Sequence, residues 1–274
     1  MMNNRTTRQR SLLTAAAVTG VLALAGTNIA MGAISGSKHD LSAGGGSQIG
    51  AAPGNTQTEI CVFCHTPHGA DTTAAAPLWN KTLPAPTSYT RYSTLNTSSM
   101  DALEAPVGSV SLACLSCHDG TQAMDVMINV PGSGMGTGTG TGGFEMSGTP
   151  VPNLGTDLSN DHPVSMQYAA GGPLASDTDG PYAGTLGDPD FFAPVKATIN
   201  TQPVWWVDDQ AGVGTINVRD KTDMQLFTRD EASVAGGKQP FVECASCHDP
   251  HSSNPTFLRI PNDGSDVCLS CHNK

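Results

Sequence analysis

Eight cysteines and eight histidines carry the chemistry of this 274-residue chain. The cysteines form four pairs: Cys61/Cys64, Cys114/Cys117, Cys244/Cys247 and Cys268/Cys271. Each pair is followed at once by a histidine, His65, His118, His248 or His272. CxxCH is the attachment signature of a c-type haem. On a helical turn, residues i, i+3 and i+4 share a face. The two sulfurs can each form a thioether with a haem vinyl group, and the histidine then falls beneath the iron as proximal ligand. No cysteine remains for a disulfide or a redox pair.

Two other chemistries use cysteines at such spacings. An even count in an exported protein usually means disulfides. Cys244, Cys247, Cys268 and Cys271 also match a four-cysteine zinc spacing. Neither explains a histidine directly after every pair, and the first two motifs are too far apart for a compact zinc ribbon.

Four proximal ligands leave His39, His68, His162 and His251. Four irons need four distal ligands for full bis-histidine coordination, so the counts close. Methionine is the alternative distal ligand and would raise the potential. Met100, Met124, Met127, Met135, Met146 and Met166 are present, most of them better read as gap-fillers or loop residues. His68 lies three residues beyond His65, and His251 three beyond His248, so neither can reach the far side of its own haem. Each should ligate a different haem and hold two macrocycles together. His39 precedes Cys61 across a Gly/Ala/Ser-rich tether, 43–54. That composition predicts flexibility. Extended, the chain would reach at most about 70–80 Å, enough for His39 to cap a haem of its own subunit or of a neighbour.

The elements that must position these residues show an internal repeat. Cys61–His68 reads CxxCHTPH and Cys244–His251 reads CxxCHDPH, and each is followed by CLSCH, at Cys114–His118 and Cys268–His272. The chain thus divides into two diverged dihaem units with an insertion between them. Ser111 and Gly120 read as start and stop signals of a helix over the second motif. Ser99 is placed to cap a turn through Met100–Glu104. Leu78 and Trp79 suit packing against a haem. Pro250 should stop the helix of the third motif. Pro203–Val207 and Thr215–Val218 predict a small hairpin. Residues 131–143, PGSGMGTGTGTGG, are low in complexity and predict a loop.

Composition fits a chain that wraps cofactors. Hydrophobic residues make up 38% and aromatics 5%, while 31 glycines and 19 prolines interrupt regular elements. The expected fold is mostly irregular coil wrapped around a stack of four c-type haems. Short helical turns at the CxxCH motifs and the hairpin near 203–218 are its expected regular elements. A net charge of −11 argues against nucleic acid or anionic membranes as partners. Arg5, Arg8 and Arg10, the apolar run Leu12–Ala25 and the small residues at 30–32 read as a secretory signal peptide, 1–32. The run is short for a membrane anchor, which needs about 20 apolar residues. The expected organisation is then one tetrahaem domain over 33–274. It comprises an N-terminal arm (33–60), a first dihaem unit (61–130), an insertion without CxxCH (131–243) and a second dihaem unit (244–274).

CVFCHTPHGA, CLSCHDG, SNDHPVS, VECASCHDPH and CLSCHNK resemble the doubled-CxxCH multihaem c-type cytochromes of metal-reducing bacteria. With the early KHDLS, the arrangement is similar to tetrahaem subunits of extracellular cytochrome nanowires. The resemblance implies bis-histidine haems in a continuous stack and extracellular electron transfer. It also implies an N-terminal histidine, His39, donated across the interface of a head-to-tail filament. The proximal set would be His65, His118, His248 and His272, and the distal set His39, His68, His162 and His251. The expected role is electron transfer and not enzymatic. The expected partners are further copies, other redox cytochromes or extracellular metal acceptors. The alternatives are a monomeric periplasmic or outer-surface shuttle, and a multihaem reductase with one open haem site.

Overall fold

The computed structural model describes residues 34–51, 55–131, 144–146, 152–209, 218–231 and 237–273. The expected leader and the core of the Gly/Thr stretch lie outside them, as do 215–217 of the expected hairpin.

The strands are β1 (Met166–Gln167), β2 (Gly180–Pro181), β3 (Val195–Ile199), β4 (Gln202–Val207), β5 (Met224–Arg229) and β6 (Gln239–Val242). They form one antiparallel sheet in the order β1-β6-β5-β4-β3-β2. This corrects the expectation of coil with one small hairpin. Gly and Pro counts averaged over the chain hid four locally β-rich strings: VKATI, QPVWWV, MQLFTR and QPFV. Pro203–Val207 does lie in a strand, but it pairs upstream with β3 and downstream with β5. The β3–β4 turn is tight, with Asn200 at φ 49° and Thr201 at φ 65°. Positive φ at both central residues is what the right-handed twist of a two-residue hairpin demands.

Period-two alternation puts Trp205, Val207, Met224 and Leu226 in a core with Tyr168 and Ala169. Trp205 and Trp206 are 0% and 1% exposed. At about 25 cal/mol per Å², each contributes up to about 5 kcal/mol. A second cluster joins Leu41 and Ile49 of the N-terminal arm to Phe63, Met124 and Met127. The arm over 34–51 is closely turned, unlike the flexible tether its composition predicts. A Cβ on Gly46 would come within 2.2 Å of the Gly36 carbonyl oxygen. Asp40 accepts from the Gly36 and Ser42 backbone amides. The small residues there serve close backbone approach.

The helices are short: α1 (Ser109–His118), α2 (Cys244–Cys247) and α3 (Asp266–Leu269). α1 and α2 each carry both cysteines of one CxxCH motif, α3 carries Cys268 alone, and Cys61–Phe63 of the first motif forms a single 3₁₀ turn. Met100–Glu104 forms no helical turn. Among the described residues, no helix is long and apolar enough to cross a membrane. The sheet matters for the site in two places. β6 runs directly into α2, and β1, just after His162, pairs with it at Met166↔Val242.

Candidate haem-binding sites

The first and third motifs are locked by one hydrogen-bond pattern. The Cys64 and His65 amides donate to the Cys61 carbonyl, and His65 Nδ1 meets the Pro77 carbonyl at 2.7 Å. Thr66 N donates to Leu78 O, and Asn80 N returns to Cys64 O, both at 2.9 Å. In the third motif, His248 Nδ1 meets the Thr256 carbonyl at 2.9 Å, Asp249 N donates to Phe257 O, and Arg259 N returns to Cys247 O. The isolated bridges His65↔Trp79 and His248↔Leu258 coincide in this scheme. So do the left-handed residues Leu78 (φ 54°) and Phe257 (φ 58°). The sequence repeat is thus a structural repeat, with His68 equivalent to His251.

The second and third motifs are joined through one buried carboxylate. Glu243, 2% exposed, caps α2 through a reciprocal pair with Ser246. Its side chain also accepts from Ser111 Oγ at 2.6 Å, Ser165 Oγ at 3.0 Å and Arg229 Nη1 at 3.0 Å. Burial pushes its carboxyl above the usual range, while Ser111, Arg229 and Ser165 pull it back. Gly108 at the start of α1 makes room, since a Cβ there would lie 2.1 Å from Glu243 Oε1. Between the first and second motifs sits Lys81, 2% exposed. Its ammonium donates to the carbonyls of Ala123 (2.9 Å), Met124 (3.3 Å) and Val126 (2.7 Å). Beside it, Asn80 bonds Val62 and Asn129.

The histidine rings are oriented as metal ligands are. Nδ1 of His65, His118, His162 and His248 each meets a backbone carbonyl, from Pro77, Pro152, Pro163 and Thr256. Nδ1 of His251 meets the Asp249 carboxylate at 3.1 Å. These partners only accept, so Nδ1 carries the hydrogen and Nε2 keeps its lone pair for a metal. The buried His39 ring lies beside the Pro250 carbonyl, its one backbone partner, without a well-aligned hydrogen bond at Nδ1.

Imidazole nitrogens bind first-row metals at about 2 Å, so two rings on opposite sides of one ion have centroids about 6 Å apart. His65 and His251 are 6.4 Å apart with planes at 14°. His39 and His118 are 6.0 Å apart with planes at 84°. Burial, then the His118 charge, lowers the His39 pKa to about 4. Burial also lowers His162, with His272 the stronger and His248 the weaker of the histidine charges acting on it. A neutral ring is the form that ligates. His39 thus faces a histidine of its own chain. His68 is exposed, and among the described residues its ring meets no histidine.

The cysteines place the motifs in chain order. Burial pushes the Cys64 thiol up to about 12, with Cys117 adding to the shift. The neighbouring Cys244 thiol, then burial, raises Cys114 well above its ordinary value, and the Cys244 amide donates to Ser111 Oγ of α1 at 3.0 Å. Burial pushes Cys247 up to about 11, with Cys268 adding. Cys64 and Cys117 pack on one apolar cluster, and Cys247 and Cys271 on another, so successive motifs adjoin. Trp79 stands edge-on to His65 at 6.1 Å, and Phe191 lies 4.3 Å from His272.

Sequence reasoning did not single out Lys81, Asn80, Glu243 or Arg229. Glu243 had a signal, a capping residue three positions before Ser246. Lys81 had none, because a lone lysine is ordinarily solvated. No curated protein matches the chain. Residues 232–274 match the family described as the doubled CXXCH motif. That match supports a place among the multihaem c-type cytochromes, with haem bound covalently at CXXCH motifs.

Proposed function

We propose that the protein is a tetrahaem electron-transfer cytochrome that works as a subunit of an extracellular filament. The observation that carries this reading is the adjacency of successive CxxCH motifs: Cys64 and Cys117 pack on one apolar cluster, the Cys244 amide donates to Ser111 Oγ of the helix bearing the second motif at 3.0 Å, and Cys247 and Cys271 pack on another cluster. A haem bound at each motif supplies a one-electron iron couple. The cysteines would tether the groups in a row, and His65, His118, His248 and His272 would ligate from the proximal side. His251 would close the site of His65, His39 that of His118, and His162 that of His272. The carbonyls on Nδ1 orient the rings and raise their basicity. Two histidines on one iron leave no position for a substrate, which suits transfer of electrons and not bond chemistry. Export by the leader at 1–32 belongs to the same reading.

The exposure of His248, with no own-chain histidine assigned opposite it, favours a second reading. An isolated copy would hold one open site, as a multihaem reductase does. Haem assay of the exported protein tests the main reading and should give four haems per chain. Any other number refutes it. Electron microscopy of material from the cell exterior decides between filament and monomeric shuttle. Turnover of a small substrate by fully assembled protein would favour the reductase.

A further inference from the structure

We infer that Phe257 is a positioning residue that fixes the ring plane of His39, and through it the crossed arrangement of His39 and His118 at the second haem. This rests on the reading that His39 and His118 close one site from opposite sides.

The two facing ring pairs differ in angle. His65 and His251 lie nearly parallel, with planes at 14°, whereas His39 and His118 stand at 84°. His65, His118 and His251 are each turned by a hydrogen bond at Nδ1. His39 has no well-aligned bond there. Its ring is backed by Phe257 instead, with centroids 4.2 Å apart and planes at 31°. Phe257 is held where it stands. Its amide donates to Asn254 O at 2.9 Å, and its carbonyl accepts from Asp249 N at 2.8 Å. Thr256 (φ 53°) and Phe257 (φ 58°) are consecutive left-handed residues. That conformation is an outlier for β-branched or bulky side chains, and such strain gathers at functional positions. At the equivalent place in the first motif stands Leu78, 54% exposed. The backbone lock therefore does not itself call for an aromatic ring. The Thr256 carbonyl holds His248 Nδ1, so one strained turn orients two rings. Its backbone sets the third proximal histidine, and its Phe257 side chain sets the second distal one.

The angle has a chemical consequence. An imidazole on iron raises the π-symmetry iron orbital that lies across its plane. Two parallel rings raise the same orbital, and the single hole of low-spin ferric iron is stabilised in it. Crossed rings raise two orbitals alike. The ferric state loses that stabilisation, and its magnetic anisotropy grows. Ligand arrangement is one of the levers by which a protein sets a haem potential. The buried Lys81 charge acts on both Cys64 and Cys117, so it bears on both of the first two sites. The ring angle then sets the second haem above the first in potential.

The test uses the exported, haem-loaded protein with Phe257→Ala and Phe257→Tyr. Haem stoichiometry, electron paramagnetic resonance of the ferric protein and a spectroelectrochemical titration are read together. Wild type should show a highly anisotropic low-spin signal that includes roughly a quarter of its iron. Phe257→Ala should keep its haems and gain no high-spin iron. It should lose that quarter to rhombic low-spin signals and lower one of its potentials. Phe257→Tyr, which keeps the ring, should retain both the signal and the potential. Wild type without a highly anisotropic signal would overturn the inference, as would Phe257→Ala with signal and potentials unchanged. His39→Ala that stayed fully low-spin would also overturn it, by removing His39 from the second site. Each of these results would leave the electron-transfer reading standing, which fails only on haem count. If Phe257→Ala is not exported, Phe257→Leu, which copies Leu78, takes its place with the same expected loss.

Discussion

Glu243→Ala removes the carboxylate that holds the second and third motifs in register. The side chain is almost fully buried and serves Ser111, Ser165, Arg229 and the first turn of α2. Arg229 keeps Pro106 O and Glu231, so the guanidinium is not abandoned. Two buried hydroxyls and one amide are. Breaking one partner of a buried charged network costs about 3–5 kcal/mol. That is a large share of the roughly 5–15 kcal/mol that holds a domain together. For a chain of this size the midpoint should fall by roughly 6–20 °C. Glu243→Gln keeps the volume and one acceptor oxygen, and should lose about half as much. Thermal unfolding followed by tryptophan fluorescence checks the stability. Circular dichroism in the Soret region checks the register, since Ser111 of α1 holds both this carboxylate and the Cys244 amide. A loss below about 1 kcal/mol with an unchanged Soret spectrum would refute the role given to Glu243.

Three further outcomes are expected. Lys81→Met leaves three buried carbonyls without their donor and should cost about 2–4 kcal/mol in urea unfolding. It should also lower the lowest redox potentials in a spectroelectrochemical titration, because a buried positive charge between the first two motifs is lost. His251→Ala should turn roughly a quarter of the iron high-spin even in the polymer, with rescue by imidazole; a fully low-spin polymer would exclude it as the partner of His65. Asp223, 3% exposed, has its carboxyl raised from 3.8 to about 6, by burial first and by Asp208 and Asp209 after it. A raised folded pKa gives stability that is present below pH 4 and lost as pH rises through 6. Asp223→Asn should therefore gain about 2–3 kcal/mol on wild type between pH 4 and pH 8, and parallel stability curves would contradict this.

The attachment motifs and their repeat were legible because both are strictly local. Two cysteines and a histidine within five residues need no knowledge of the fold. The expectation that His251 serves a motif other than its own came from the same local geometry, since three residues cannot span a macrocycle, and the His251 ring lies 6.4 Å from His65. The partner of His39 was not legible. It depends on how the arm turns, and the arm turns through Asp40 and glycines whose composition reads as a flexible tether. The sheet was half legible. Pro203–Val207 announced a strand, but VKATI and MQLFTR sit in a background of Gly, Pro and Asp that dilutes any window average. Its role became visible only with the pairing of β1 and β6.

That pairing explains how one repeat tolerates so long an insertion. Ahead of the first unit, His39 precedes Cys61 by the short stretch 40–60. Ahead of the second, His162 precedes Cys244 by 163–243, and most of the sheet lies in between. An unstructured chain of that length would pay a growing closure entropy to bring its ends together. Here the ends are sheet neighbours. Met166 pairs with Val242 and Gln167 with Phe241, so the histidine enters where the motif leaves. Phe241 is 0% exposed and Glu243 fixes the next residue to α1. The insertion is therefore closed at its base and can vary in length without moving His162 from the second unit. The lock around each CxxCHxPH element is held by backbone atoms, which substitution spares. Closure of the base and the backbone lock together hold the candidate ligand histidines at set positions around two CxxCHxPH elements that share little else in sequence.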